Sequence, residues 1–117
     1  MPHKPAKLLV DVIDAGTAIQ SFVAGKTPDD YRTDKMFRSA VERQFEIIGE
    51  ALRRLANLNP ELASRISEHE RIISFRNVIA HGYDVVDDAA VWQAIREKLP
   101  ALMWQAKAIL DELERGK

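Results

Sequence analysis

Apolar residues recur every three or four positions along nearly the whole chain, and no stretch reads as a strand. The spacing predicts helices throughout. A first helix should run from about Pro5 to Ala24, with Leu8, Leu9, Val12, Ile13, Ile19, Phe22 and Val23 on its apolar stripe and Gly25 as its stop. Thr27-Pro28-Asp29-Asp30 has the composition of a helix start: a threonine cap, proline in the first turn, and carboxylates near the positive dipole end. The short helix it opens should break near Thr33. A second main helix should run from about Asp34 to Ala56, because Phe37, Val41, Phe45, Ile48, Leu52 and Leu55 form one stripe.

Asn57-Leu58-Asn59-Pro60 ends that helix, and Asn59 then caps a short one through about Ile66. A third main helix is expected from about Glu68 to His81, with Gly82 as a left-handed stop. Asp87-Asp88 caps the last, which carries Val91, Trp92, Ile95, Leu99, Leu102, Met103, Ile109, Leu110 and Leu113. Pro100 falls inside that pattern and should kink or split the helix. The expected architecture is all-α, an up-and-down bundle of four main helices plus short helices, as one domain over residues 1–117.

Composition narrows the class. With 46% apolar and 30% charged residues the profile is globular and not disordered. No apolar run approaches the roughly 20 residues that span a bilayer. The basic start, Met1 to Lys7, leads into an apolar segment interrupted by Asp11 and Asp14, which makes a poor signal peptide. The absence of cysteine excludes disulfides, thiolate metal sites and cysteine nucleophiles, and it fits a cytoplasmic protein. The formal net charge of −1 gives no bulk signal for nucleic acid. Arg32, Arg38, Arg43, Arg53 and Arg54 nevertheless cluster in one stretch, and arginine suits bidentate phosphate contacts. Arginine alternating with glutamate is also the usual pattern of a solvated helix face.

The chemistry concentrates in Arg76-Asn77-Val78-Ile79-Ala80-His81-Gly82-Tyr83. Asn77 and His81 are four apart and share a helix face. Arg76 is offset from Asn77 by about 100° and is long enough to reach round. Gly82 lets the chain turn, so Tyr83 hangs at the helix end. Cleaving a phosphodiester without a metal requires a base for the 2′-hydroxyl proton, an acid for the leaving oxygen, and a cation for the phosphorane charge. A histidine can fill either proton-transfer role near neutrality. One chain offers one such histidine, while two copies across a symmetric dimer would offer two histidines and two arginines. Each residue also has an ordinary explanation. His81 would suit the negative end of a helix dipole, Arg76 a surface carboxylate, Asn77 solvent, and Tyr83 the edge of a core. The residues alone leave both readings open.

The octet resembles the R-x-x-x-x-H-x-Y motif of HEPN-domain ribonucleases, specifically the HepT toxin family. Two further segments are similar to that family: Val41-Glu42-Arg43-Gln44-Phe45-Glu46-Ile47-Ile48-Gly49-Glu50-Ala51, and Ala89-Ala90-Val91-Trp92 with Leu99-Pro100-Ala101-Leu102. The resemblance covers about Leu8 to Leu110. It implies an all-α HEPN bundle that forms a homodimer with a composite, metal-independent site for RNA and no cofactor. Arg76 would hold and stabilise the phosphate, His81 would transfer protons, and Asn77 would orient the site. It implies a toxin of a type VII toxin–antitoxin system, silenced when a nucleotidyltransferase antitoxin of the MntA type transfers AMP to Tyr83. The alternative is a non-catalytic helical module that binds such a transferase or RNA; a third reading has it present nucleotide or tRNA to the transferase. Many relatives carry a tryptophan just before the motif, where this chain reads His69-Glu70-Arg71-Ile72-Ile73-Ser74-Phe75.

Other polar groups have simpler readings. His3 and His69 are incidental surface residues, and Asp29-Asp30 and Asp87-Asp88 are caps, with no metal-ligand spacing among them. Glu46 and Glu50 share a face with Arg43 or Arg53-Arg54, which suggests a salt-bridge network; either glutamate could steer Arg76 if the second and third main helices pack together. Trp92 and Trp104 are expected in a core or an interface.

Overall fold

Gly25 and Thr27 make the first corner. In the computed structural model, which describes residues 4–66, 70–73 and 88–116, helix α1 spans Lys4–Val23. Gly25 then takes a left-handed φ of 75°, which a glycine adopts without strain. Thr27 and Asp30 close a reciprocal cap: the threonine hydroxyl accepts from Asp30 N–H at 3.1 Å, and the Asp30 carboxylate accepts from Thr27 N–H at 2.9 Å. Helix α2 follows over Pro28–Thr33.

Asp34 and Asn59 each join two helices. The Asp34 N–H donates to Asp30 O, closing α2, while its carboxylate accepts from Phe37 N–H at 3.1 Å and opens α3, Lys35–Leu58. Asn59 does the same between α3 and α4, Pro60–Ser64. Its N–H reaches Leu55 O at 2.7 Å and its side-chain oxygen accepts from Leu62 N–H at 3.2 Å. Helix α3 therefore runs two residues past its expected end at Ala56. What stops it is Pro60, which forces Asn59 out of helical backbone to φ −150°. Helix α4 is two residues shorter than expected, because Arg65 and Ile66 tighten onto the carbonyls three residues back.

Residues 70–73 are helical and belong to the expected third main helix. The rest of that helix, the Gly82 stop and the Asp87 cap lie outside the described residues. Helix α5 spans Asp88–Gln93, a π-helical segment spans Ala94–Lys98, and α6 spans Leu99–Arg115. The expected break at Pro100 takes this form. Leu99 N–H donates to Ala94 O, five residues back, and the widened turn accommodates a ring that would crowd the carbonyl four residues before it.

Helix α1 packs on both α3 and α6. The start of α1 lies beside the end of α3, since Lys4 and Lys7 share a recess with Arg53 and Leu58; the two are antiparallel. Met103 of α6 meets α1 at Gly16, where a Cβ would stand 2.8 Å from its Sδ, and Arg65 just past α4 pairs with Glu112 near the end of α6. Helix α6 therefore runs antiparallel to α1, as an up-and-down bundle requires. Among the described residues there is no strand, so the architecture is all-α.

One core cluster holds Leu9, Val12 and Ile19 of α1, the whole predicted stripe of α3, and Leu99, Leu102, Met103 and Ile109 of α6. Phe22 departs from its expected place and is 36% exposed, while Val23 beside it packs against the core. The tryptophans divide: Trp92 is buried, and Trp104 is 73% exposed on the outer face of α6.

Candidate active site

Arg76, Asn77, His81 and Tyr83 all lie outside the described residues, as do His3, His69 and Asp87. What can be built is the frame on either side of the motif. On its N-terminal side, Ile72 and Ile73 are half-buried against the core, and Ile66 before them is fully buried. On its C-terminal side, Val91 and Trp92 of α5 are buried. Apolar anchors thus hold both flanks of the segment to the bundle. The flanks converge on a recess of about 220 Å³ lined by Phe45, Ile72, Ala90, Ala94 and Leu99, with the cations Arg71 and Lys98 also on its wall.

The C-terminal flank is held by an aromatic group that the sequence did not disclose. Tyr31 is fully buried although it sits between Asp30 and Arg32 on a six-residue helix. Its ring contacts Phe37 at 6.1 Å, edge-on, and Trp92 at 6.2 Å. Its hydroxyl donates to Glu42 Oε2 at 3.0 Å, and the same oxygen accepts from Arg38 Nε at 3.3 Å. The Arg38 guanidinium also stacks 5.3 Å from the Tyr31 ring centre. Buried tyrosine needs a partner for its hydroxyl, and Glu42 on the next helix supplies it. The result is that α2 and α3 together grip α5, the first element after the motif. A helix too short to show periodicity hid this from pattern reading; the signal available was one large apolar ring between charged neighbours.

The expected salt-bridge network is present on α3 in part. Glu50 accepts from Arg53 at 2.6 and 3.1 Å and from Arg54 at 3.0 Å. The hydrogen bond that Arg53 donates to Glu50, and then the charge of Glu50, raises the Arg53 pKa. Glu46 and Arg43 form no ion pair among the described residues, and the steering of Arg76 by either glutamate lies outside them. The cap reading of Asp29-Asp30 is correct for Asp30, while Asp29 pairs with Arg32. The Thr27 backbone N–H, then its hydroxyl, holds the Asp30 carboxyl below its usual range. Among the described residues no group of three His, Asp or Glu side chains could hold a metal ion, and no helix is long and apolar enough to cross a membrane.

A family model described as Ribonuclease HepT-like matches residues 12–109, a span that includes the whole of Arg76–Tyr83. A protein of Thermococcus cleftensis named "probable ribonuclease HepT" is 32% identical over 98 residues, covering 80% of this chain and 84% of that protein. A Methanocaldococcus jannaschii protein named "gamma-glutamylcyclotransferase and putative RNase" is 29% identical over 116 residues, or 98% of this chain. The chain spans about half, 52%, of that relative's length. A second protein of the same organism, named "putative RNase", is 27% identical over 101 residues and is covered for 92% of its length. No solved structure matches the chain significantly.

Proposed function

Because the chain belongs to the HepT-like ribonuclease family, we propose that it is a metal-independent endoribonuclease toxin whose chemistry is carried by Arg76 and His81. The observation that carries this reading is the spacing Arg76-x-x-x-x-His81-x-Tyr83 inside the span the family model matches. In this mechanism a His81 imidazole takes the proton from a ribose 2′-hydroxyl. The oxygen attacks the adjacent phosphorus, the bond to the 5′-oxygen breaks, and a second imidazole protonates that leaving oxygen. The products are a 2′,3′-cyclic phosphate and a free 5′-hydroxyl. Arg76 offsets the charge that builds on the phosphorane, and Asn77 orients the groups. One chain supplies a single motif histidine, so the active form is a homodimer in which two motifs face each other.

Tyr83, two residues from His81, is the regulatory position. A nucleotidyltransferase antitoxin of the MntA type transfers AMP from ATP to the phenol oxygen with release of pyrophosphate, and the added nucleotide occludes or repels RNA. The protein acts in the cytoplasm as one domain over residues 1–117.

The test uses substrate chemistry. Purified protein in EDTA should cleave an all-RNA oligonucleotide and leave cyclic phosphate ends. The same oligonucleotide with 2′-deoxyribose at every position should survive. Cleavage of both, or activity that EDTA removes, would rule this mechanism out. For Tyr83, mass spectrometry after incubation with the transferase and ATP should find AMP on the peptide containing it; modification confined to other residues would remove the switch.

A further inference from the structure

The antiparallel seam of α1 and α3 opens, where α1 begins and α3 ends, into a surface recess of about 660 Å³. That volume falls within the roughly 300–1,000 Å³ of sites that hold drug-sized ligands, about the bulk of a short nucleotide segment. Four cations line it: Lys4 and Lys7 from α1, and Arg53 and Arg54 from α3. Their charge is incompletely offset. Lys7 pairs with Asp11 at 2.5 Å, but Lys4 makes no ion pair among the described residues. Arg53 and Arg54 both donate to the one carboxylate of Glu50. The arrangement differs from that of Arg32 and Arg65, each of which meets a carboxylate of its own in Asp29 and Glu112. The recess therefore carries about two surplus positive charges on a chain whose net charge is −1. Arg54 commits only Nε to Glu50, which leaves its Nη donors for a ligand. The exposed Leu58, with Leu8 beside it, adds apolar surface next to the cations.

We infer that this recess is a docking track for the phosphate backbone of single-stranded RNA, formed by Lys4, Lys7, Arg53 and Arg54 and separate in sequence from the Arg76–Tyr83 motif. Guanidinium groups suit phosphate oxygens, and cations from two helices suit a strand better than a single small anion. A second copy of the chain is a poorer occupant. A two-fold axis through the seam would bring the same positive surplus against itself. A smaller recess of about 250 Å³ continues along the seam toward Arg43; Asp11 lines both, but Glu46 and Glu50 line only the smaller one and offset its two arginines, so the phosphate contacts belong to the larger. This assignment rests on the ribonuclease reading for its choice of RNA as the polyanion.

The experiment measures binding without cleavage. A fluorescein-labelled 2′-O-methyl oligoribonucleotide, which lacks the attacking hydroxyl, is titrated by fluorescence anisotropy across a series of KCl concentrations. The proteins compared are the wild type, the triple variant Lys4→Gln/Arg53→Gln/Arg54→Gln, and the control variant Arg32→Gln/Arg65→Gln. Loss of three phosphate contacts should weaken binding by roughly one to two orders of magnitude and reduce the salt slope by about two, at about 0.7 per contact for single strands. The control should bind as wild type does, and circular dichroism should show both variants equally helical. The variant Arg53→Lys/Arg54→Lys, with Lys4 retained, should keep the wild-type slope. The inference is overturned if the triple variant binds with unchanged slope, or if the control loses as much. It is also overturned if the triple variant instead loses oligomeric mass by light scattering. Wild-type protein that cleaves RNA while the triple variant binds normally would defeat this inference alone. Wild-type protein that neither binds the probe nor cleaves RNA would defeat the ribonuclease reading as well.

Discussion

Tyr31 and Gly16 show what single residues contribute here. The Tyr31 hydroxyl ties α2 to α3 through Glu42, and its ring ties both to Trp92. Tyr31→Phe keeps the ring and removes the hydroxyl, so it should cost about 0.5–1.5 kcal/mol, read as a lower urea midpoint with unchanged slope. Gly16 lets α1 and α6 approach until Met103 occupies the space a Cβ would take. Gly16→Val should overpack that contact and cost about 1–3 kcal/mol by the same measurement, despite valine's better helix propensity. Neither contact was legible in the sequence. A glycine in a helical pattern reads the same whether it faces a neighbour or solvent, and Tyr31 had no periodic partner. By contrast, every residue of the α3 stripe was legible and is buried, because a 24-residue amphipathic helix repeats its signal many times.

At the scale of elements, short polar side chains decide where α2, α3 and α4 start, and a proline decides the π-helical turn before α6. The cap readings for Thr27, Asp30 and Asn59 follow from local chemistry and hold in the structure, and Asp34, expected as the first residue of its helix, is a cap as well. The two-residue error at the end of α3 arose because Asn57 looked like a stop, whereas the restriction before Pro60 acts one residue upstream, at Asn59. Thr27→Ala should cost about 1 kcal/mol of stability. The pH dependence has a definite sign. The folded pKa of Asp30 is lowered by the Thr27 N–H, so its contribution is present above the unfolded pKa and is lost as pH falls through the folded one. Glu112, lowered by its hydrogen bond from Arg65, acts in the same direction. Asp30→Asn should therefore flatten the acid limb of the stability–pH curve and leave its neutral region nearly level; an unchanged acid limb would contradict this assignment.

For the whole molecule, the fold serves to hold both flanks of the Arg76–Tyr83 segment against one core. Ile72 and Ile73 lie on one side, and Trp92, gripped by Tyr31 and Phe37, lies on the other. The bundle was legible because helical periodicity is a local signal. The motif was legible as a spacing, but its chemistry was not separable from an ordinary helix end by spacing alone, since one chain supplies one motif histidine. The proposed mechanism needs a homodimer to complete the set: light scattering should give twice the 13.3 kDa chain mass, and a stable monomer at assay concentration would remove the composite site. The most direct measurement of the central claim is the initial rate of RNA cleavage in EDTA by wild type, Arg76→Ala and His81→Ala, purified in parallel and matched for helicity. Wild type should cleave, and each variant should be slower by at least about 10²-fold. Equal rates for all three would contradict that claim.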